Sequence, residues 1–245
     1  MSSKDADKLF LKKYTCPVCE NIFQAKTVKT GKARLISTDM DLRNVYDGIE
    51  PLKYDVIICM KCGYGALARF FPNVTAVQQK LIGEKITPYF KSVAEEPEEY
   101  SYEQAISRYK IAFANAVVKM AKCSEGAYVS LKTAWLYRSY RKSLNPESTG
   151  YEERCANLQK LEKECMDKSY QLFLQAVQSE SFPMCGMDEP TVDYLMAVLA
   201  MEYGDFASSS KLLSKILTSY MATTRLKDKA RDVKEELAKR TNLEE

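Results

Sequence analysis

The chain has 245 residues, 46% of them hydrophobic and 28% charged, with a net charge of +3 and no histidine. Those proportions are globular ones and exclude a disordered or collagen-like chain, and the length favours a small module plus a larger domain. The missing histidine removes the commonest general base, the Ser-His and Cys-His nucleophile pairs, and every mixed Cys/His metal site.

Residues 1–14 are too polar for the apolar core of a signal peptide, and no later window approaches the roughly 18 uncharged apolar residues that span a bilayer. A cytoplasmic protein with no membrane role is therefore expected. In a reducing compartment, closely spaced cysteines read as metal ligands. Residues 1–70 hold 12 Lys and Arg against 8 Asp and Glu, and the remainder 24 against 25. Four thiolates around a divalent ion would leave about +2 on the first region, a weak footprint for nucleic acid.

The strongest signal is Cys16-Pro17-Val18-Cys19, followed after 39 residues by Cys59-Met60-Lys61-Cys62-Gly63-Tyr64-Gly65. Two residues between paired cysteines let one tight turn aim both sulfurs at one ion, and two such turns complete a tetrahedron. The metal ligands are therefore expected to be Cys16, Cys19, Cys59 and Cys62, holding one structural Zn2+ per chain with no open position for water. Gly63 suits a knuckle turn that needs positive φ, and Glu20 takes the matching place in the first pair.

Between the pairs, residues 23–36 form a Lys/Thr/Val-rich run with Gly31 at a turn, and Tyr54 to Ile58 form a β-branched run leading into the second knuckle. A small antiparallel sheet is expected. The module is similar to a zinc ribbon and, in its knuckles and Cys62-Gly63-Tyr64, to rubredoxins, which implies iron as the rival metal and electron transfer as a rival role. In the segment Ser37 to Arg43, Thr38 or Asp39 is expected to cap a short helix rather than Asp39 and Asp41 serving a hard cation or acid–base chemistry. Lys26, Lys29, Lys32 and Arg34 would make a solvated basic strand, with phosphate contact as the alternative.

The domain boundaries expected are a metal module over 1–72, a connecting helix and linker over 73–100, with the acidic stretch 95–99 as the break, and a helical domain over 101–245. Ser101 and Gln104 form a capping box, and Tyr102, Ile106, Tyr109, Phe113, Val117 and Met120 share one helical face. A second helix over 127–144 carries Trp135 and stops at Asn145-Pro146. A third starts after Thr149, paired with Glu152 as its cap, and runs to about 179. Three more follow a break at 181–190: about 190–203 with Leu195, Leu199 and Tyr203 inward, 206–220 with Phe206, Leu213, Ile216 and Tyr220, and 224–241 with Leu226, Ala230, Val233 and Leu237. The fold class is thus α+β, a β-rich ribbon followed by an all-α domain.

Met196-Ala197, Gly204-Asp205-Phe206, Ser209 and Leu213 resemble a tetratricopeptide helix pair, although Asp193 stands where its early aromatic would be and no 34-residue repeat runs upstream. That resemblance implies a concave surface for a protein or peptide partner. Tyr100, Tyr102, Tyr109, Trp135, Tyr137, Arg138, Tyr140 and Arg141 are of the types that make hot spots, but aromatic stripes at helical spacing are more often core. Cys123, Cys155 and Cys165 read as buried thiols, and Cys185, in a loop beside Gly186, as the more reactive one.

Taken together, Tyr14 to Cys19, Asp39 to Arg43, Pro51 to Tyr54 and Cys59 to Gly65 resemble an uncharacterised bacterial family, domain of unknown function 2225. The resemblance implies a ribbon with tetratricopeptide-like helices and brings no activity or partner. A non-catalytic, zinc-binding interaction protein is the leading expectation. The alternatives are a nucleic-acid-associated regulator using the basic strand and an iron electron carrier.

Overall fold

A computed structural model describes residues 6–92 and 97–241. Six short strands are followed by seven helices, an α+β arrangement with the helices C-terminal. The strands form three antiparallel hairpins: β1 (Leu9–Thr15) with β2 (Ile22–Val28), β3 (Arg34–Thr38) with β4 (Asn44–Asp47), and β5 (Val56–Ile58) with β6 (Gly65–Leu67). The expected single sheet is thus three separate ribbons. Each Cys-x-x-Cys turn closes one of them, Cys16–Cys19 joining β1 to β2 and Cys59–Cys62 joining β5 to β6.

The middle hairpin corrects the reading of residues 37–43. No helix starts there. The Asp39 amide donates to Arg43 O at 2.7 Å and Leu42 N to Asp39 O at 3.0 Å, closing a loop between β3 and β4. Leu42 takes φ +66°, a left-handed conformation that costs a residue with a Cβ roughly 1–2 kcal/mol. Its side chain is packed against two of the hydrophobic clusters of the helical domain.

Seven helices follow: α1 (Ala76–Lys85), α2 (Tyr102–Val118), α3 (Cys123–Ser143), α4 (Tyr151–Ser179), α5 (Glu189–Tyr203), α6 (Phe206–Thr218) and α7 (Thr224–Thr241). Residues 93–96 of the acidic linker lie outside the described residues. Ser101 caps α2 with Gln104 as a capping box, as the sequence suggests. Thr149 does not cap α4: Gly150, at φ +72°, precedes its first turn with no side-chain cap, so the left-handed glycine, not the Thr-Glu pair, sets that boundary. Asp188 caps α5 by accepting from Thr191 N, and Gly204 ends it at φ +94°.

Each of α2 to α7 packs on its neighbour in sequence. Small residues link neighbouring helices through hydrogen bonds. Ser209 Oγ donates to Ala197 O at 2.8 Å between α6 and α5, and Ser169 Oγ to Ala127 O at 2.9 Å between α4 and α3. The inward faces hold at helix centres and fail at their ends: Val117 is 62% exposed, Met120 79%, Tyr203 46% and Tyr220 94%. Helical phase alone does not tell where a neighbouring helix stops.

The ribbon is part of the same core. Val56, Ile58 and Leu67 of β5 and β6 are buried against Ala105, Ile106, Tyr109 and Ala112 of α2, at roughly 1.5–3 kcal/mol for each large side chain. None of the eight aromatic and arginine side chains of hot-spot type is exposed. Tyr109 and Trp135 are core residues, Tyr102 and Tyr140 stack on each other at 5.1 Å, and Arg138 and Arg141 lie in an ionic cluster described below.

Candidate metal centre and the ribbon–helix junction

Cys16, Cys19, Cys59 and Cys62 converge, with one sulfur from each lying within 4.8 Å of all the others. Cys16 and Cys62 are 3.6 Å apart at sulfur, as are Cys19 and Cys59. A tetrahedral ion with sulfur at about 2.3 Å has S···S edges of about 3.8 Å, so the four sulfurs fit such an ion with small adjustment.

The knuckles follow from local backbone. In the first, the Cys16 amide donates to Asn21 O and the Glu20 amide to Cys16 O, both at 2.9 Å, with Glu20 at φ +59°. In the second, the Cys59 amide donates to Tyr64 O and the Gly63 amide to Cys59 O, both at 2.8 Å, with Gly63 at φ +76°. The two knuckles therefore share one geometry, and Glu20 adopts at some strain what Gly63 adopts freely.

Without a cation, Cys16, Cys59 and Cys62 conflict. Cys59 accepts hydrogen bonds from Cys16 and Cys62 and is held far below the ordinary thiol value. Hydrogen bonding to Cys59 and burial push Cys16 up to about 12, and Cys62 is driven higher still by Cys16 and Cys59. A divalent ion resolves this, because it stabilises every thiolate at once. The chemistry of the donor set therefore fits a soft or borderline cation, zinc or iron, with no position left for substrate.

Residues that the sequence reading missed hold the second knuckle in place. Asn115, fully buried on α2, donates from Nδ2 to Gly63 O at 3.1 Å. Thr87 Oγ1 donates to Cys62 O at 2.9 Å, and Asn21 Nδ2 lies 3.8 Å from Cys59 Sγ. An asparagine among Ile111, Ala112 and Ala116 was the available signal, since a polar side chain on a buried face needs a partner.

The Asp39 to Arg43 loop meets α3 and α4. Arg138 on α3 donates from Nη1 to Asp39 at 3.0 Å and Asp41 at 3.1 Å, from Nη2 to Asp41 at 2.8 Å, and from Nε to Glu162 on α4 at 2.6 Å. Trp135 Nε1 also donates to Asp41, at 3.0 Å. Arg43 donates to Asp39 at 3.0 Å and to Ser139 Oγ at 2.7 Å, and Arg141 to Glu162 at 3.0 Å. Burial alone would discharge Arg138, but Asp41 and Glu162 outweigh it and raise its value above the ordinary one. The two aspartates are thus structural anions, neither helix caps nor ligands for a cation.

Cys185 is buried. Its Sγ donates to Ser124 O at 3.2 Å, and desolvation pushes its thiol up to about 11, so burial opposes the reactivity expected of it. Among the described residues no helix is long and apolar enough to cross a membrane.

Residues 9–237 match the family described as an uncharacterized protein conserved in bacteria, DUF2225, and the chain belongs to that family. No curated protein and no solved structure is significantly similar to it.

Proposed function

We propose that this family member is a non-catalytic scaffold in which a structural Zn2+ holds the ribbon, the ribbon braces the helices, and the helical array binds a protein or peptide partner. The observation that carries the partner is a groove between the loop before α5 and the turn after α6. Phe182 is 37% exposed there, Tyr220 94% and Met221 65%, around a volume of about 520 Å³. Large apolar side chains gathered in one exposed groove mark an interaction site. Asp188, Glu189 and Asp193 line the same groove against a single cation, Lys215. A partner segment with an apolar anchor flanked by Lys or Arg suits it.

The absence of turnover rests on the closed sulfur set and on the missing histidine. Over a nucleic-acid role, the scaffold reading is favoured by what occupies the basic strand: Lys26 sits over the Tyr100 ring at 4.7 Å, Lys29 Nζ donates to Asp7 O at 2.8 Å, and Arg34 pairs with Asp47 at 3.4 Å.

The test compares the wild-type chain with a Tyr220→Ser, Met221→Ser variant, both exposed positions whose change leaves the core alone. A protein retained stoichiometrically by the wild type, reconstituted from pure components and bound at least about tenfold more weakly by the variant, supports the reading. Retention that does not depend on these residues, or binding of nucleic acid that falls steeply with salt, contradicts it.

A further inference from the structure

The partner groove does not end at Met221. Met221, Pro190 and Asp188 also wall a second cleft of about 270 Å³, between the start of α7 and the β3–β4 hairpin. The charge changes sign across that shared wall. On the Tyr220 side stand Glu189 and Asp193; Lys215 pairs with both at 2.7 Å, which leaves one negative charge in excess. On the other side stand Arg225 and Lys229, four residues apart and so on one face of α7. Arg225 is exposed and Lys229 half-buried, and among the described residues neither has a carboxylate within ion-pair distance. Burial and the neighbouring Arg225 hold Lys229 below the ordinary lysine value against the pull of Asp232, so an incoming carboxylate is favoured there. Asp188, at the seam, is engaged in capping α5.

A strip that is acidic at one end, apolar in the middle and basic at the other is complementary to itself turned by 180°. Residues 220–229 also carry, in this same chain, an apolar anchor followed by Arg225, Lys227 and Lys229, the partner chemistry that the groove suits. We propose that a second copy of this chain occupies the groove, forming a two-fold dimer in which Tyr220 and Met221 of the two copies meet near the axis. Arg225 and Lys229 of each copy then face Glu189 of the other, so the same ionic contact is made twice. This inference rests on the groove being a partner site and names the partner.

Sedimentation equilibrium of the full metal-loaded chain, at low ionic strength where exposed charges are least screened, measures the dimer constant. The expected result is a reversible monomer–dimer equilibrium that Tyr220→Ser with Met221→Ser weakens at least about tenfold. Arg225→Glu with Lys229→Glu and, in a separate chain, Glu189→Lys should each weaken it at least about tenfold too, because like charges then face each other at both ends. Mixing these two charge variants should restore a dimer that neither forms alone, since each reversed end then meets an opposite one. Misfolding is not rescued by mixing, and retained metal stoichiometry checks the fold of each variant independently. The proposal is overturned by a chain that stays monomeric up to about 1 mM, by a dimer constant that these charges do not change, or by a mixture that stays monomeric. A monomeric chain that still loses a different partner with Tyr220→Ser and Met221→Ser overturns the dimer alone and leaves the scaffold reading in place.

Discussion

Arg138 Nη2 donates to Asp41 Oδ2 at 2.8 Å, tying the middle of α3 to the loop of the β3–β4 hairpin 97 residues earlier in the chain. Asp41 is 3% exposed at its side chain and Arg138 15%, so neither charge is well served by water and each depends on the other. The hairpin is thereby held to the helices by ions, while β5 and β6 are held by apolar burial. Ribbon and helices form one folded body through both.

Removing one partner of a buried pair leaves an uncompensated charge, at about 3–5 kcal/mol. Arg138→Met is therefore expected to lose roughly that much stability in urea unfolding of the metal-loaded chain. Arg138→Lys should recover only a minor part, because a point charge cannot reproduce the fork to Asp39, Asp41 and Glu162. A loss under about 1 kcal/mol for Arg138→Met would show that the cluster is dispensable.

Acid should act through the same cluster. Burial of Asp39 works against its charge, but Arg138 and Arg43 win and hold its carboxyl below the ordinary value of 3.8. A depressed carboxyl contributes stability that is present above the unfolded value and lost as pH falls through the folded one. Stability of the wild type is thus expected to fall as pH drops below about 4, and more steeply than that of Asp39→Asn. Comparing the two cancels acid release of metal, which both share. Parallel curves would remove Asp39 from the account.

Gly63 is constrained twice. It sits at φ +76°, and an added Cβ would lie 2.4 Å from Phe90 Cγ. Gly63→Ala should therefore destabilise by more than the roughly 1 kcal/mol of a positive-φ alanine alone. Gly63→Ala with Phe90→Ala relieves the clash, so the double-mutant cycle should show favourable coupling of about 0.5–3 kcal/mol. Additive losses would mean that Phe90 moves aside at no cost.

Thiol reactivity should follow burial. Cys185 is buried while Cys123, Cys155 and Cys165 are half-buried, and desolvation raises Cys185 and Cys165, each up to about 11. Near neutral pH, maleimide is expected to modify Cys123 and Cys155 well before Cys165 and Cys185, as read by mass spectrometry of peptides from the native, metal-loaded chain. Early modification of Cys185 would point to opening of the 181–188 loop.

The four-sulfur cluster was legible because its geometry is local: a Cys-x-x-Cys turn positions its own sulfurs. The α2 capping box and the Gly204 turn were legible for the same reason. The Asp39 to Arg43 loop was not. Thr and Asp in sequence suit a helix cap and a hairpin loop equally, and what decides between them is Arg138, which no local pattern links to Asp41. Periodicity gave the inward faces of α5 to α7 at their centres, yet Tyr220 lies past the end of α6, where no partner covers it.

The most direct test of the central claim is X-ray absorption on the purified chain together with its metal content. The expected result is one zinc per chain bound by four sulfurs at about 2.3 Å with no lighter ligand, in a colourless protein. One iron per chain with red thiolate absorption would contradict the structural-zinc scaffold and favour electron transfer. A nitrogen or oxygen ligand in place of a sulfur, or no tightly held metal, would contradict the closed site itself.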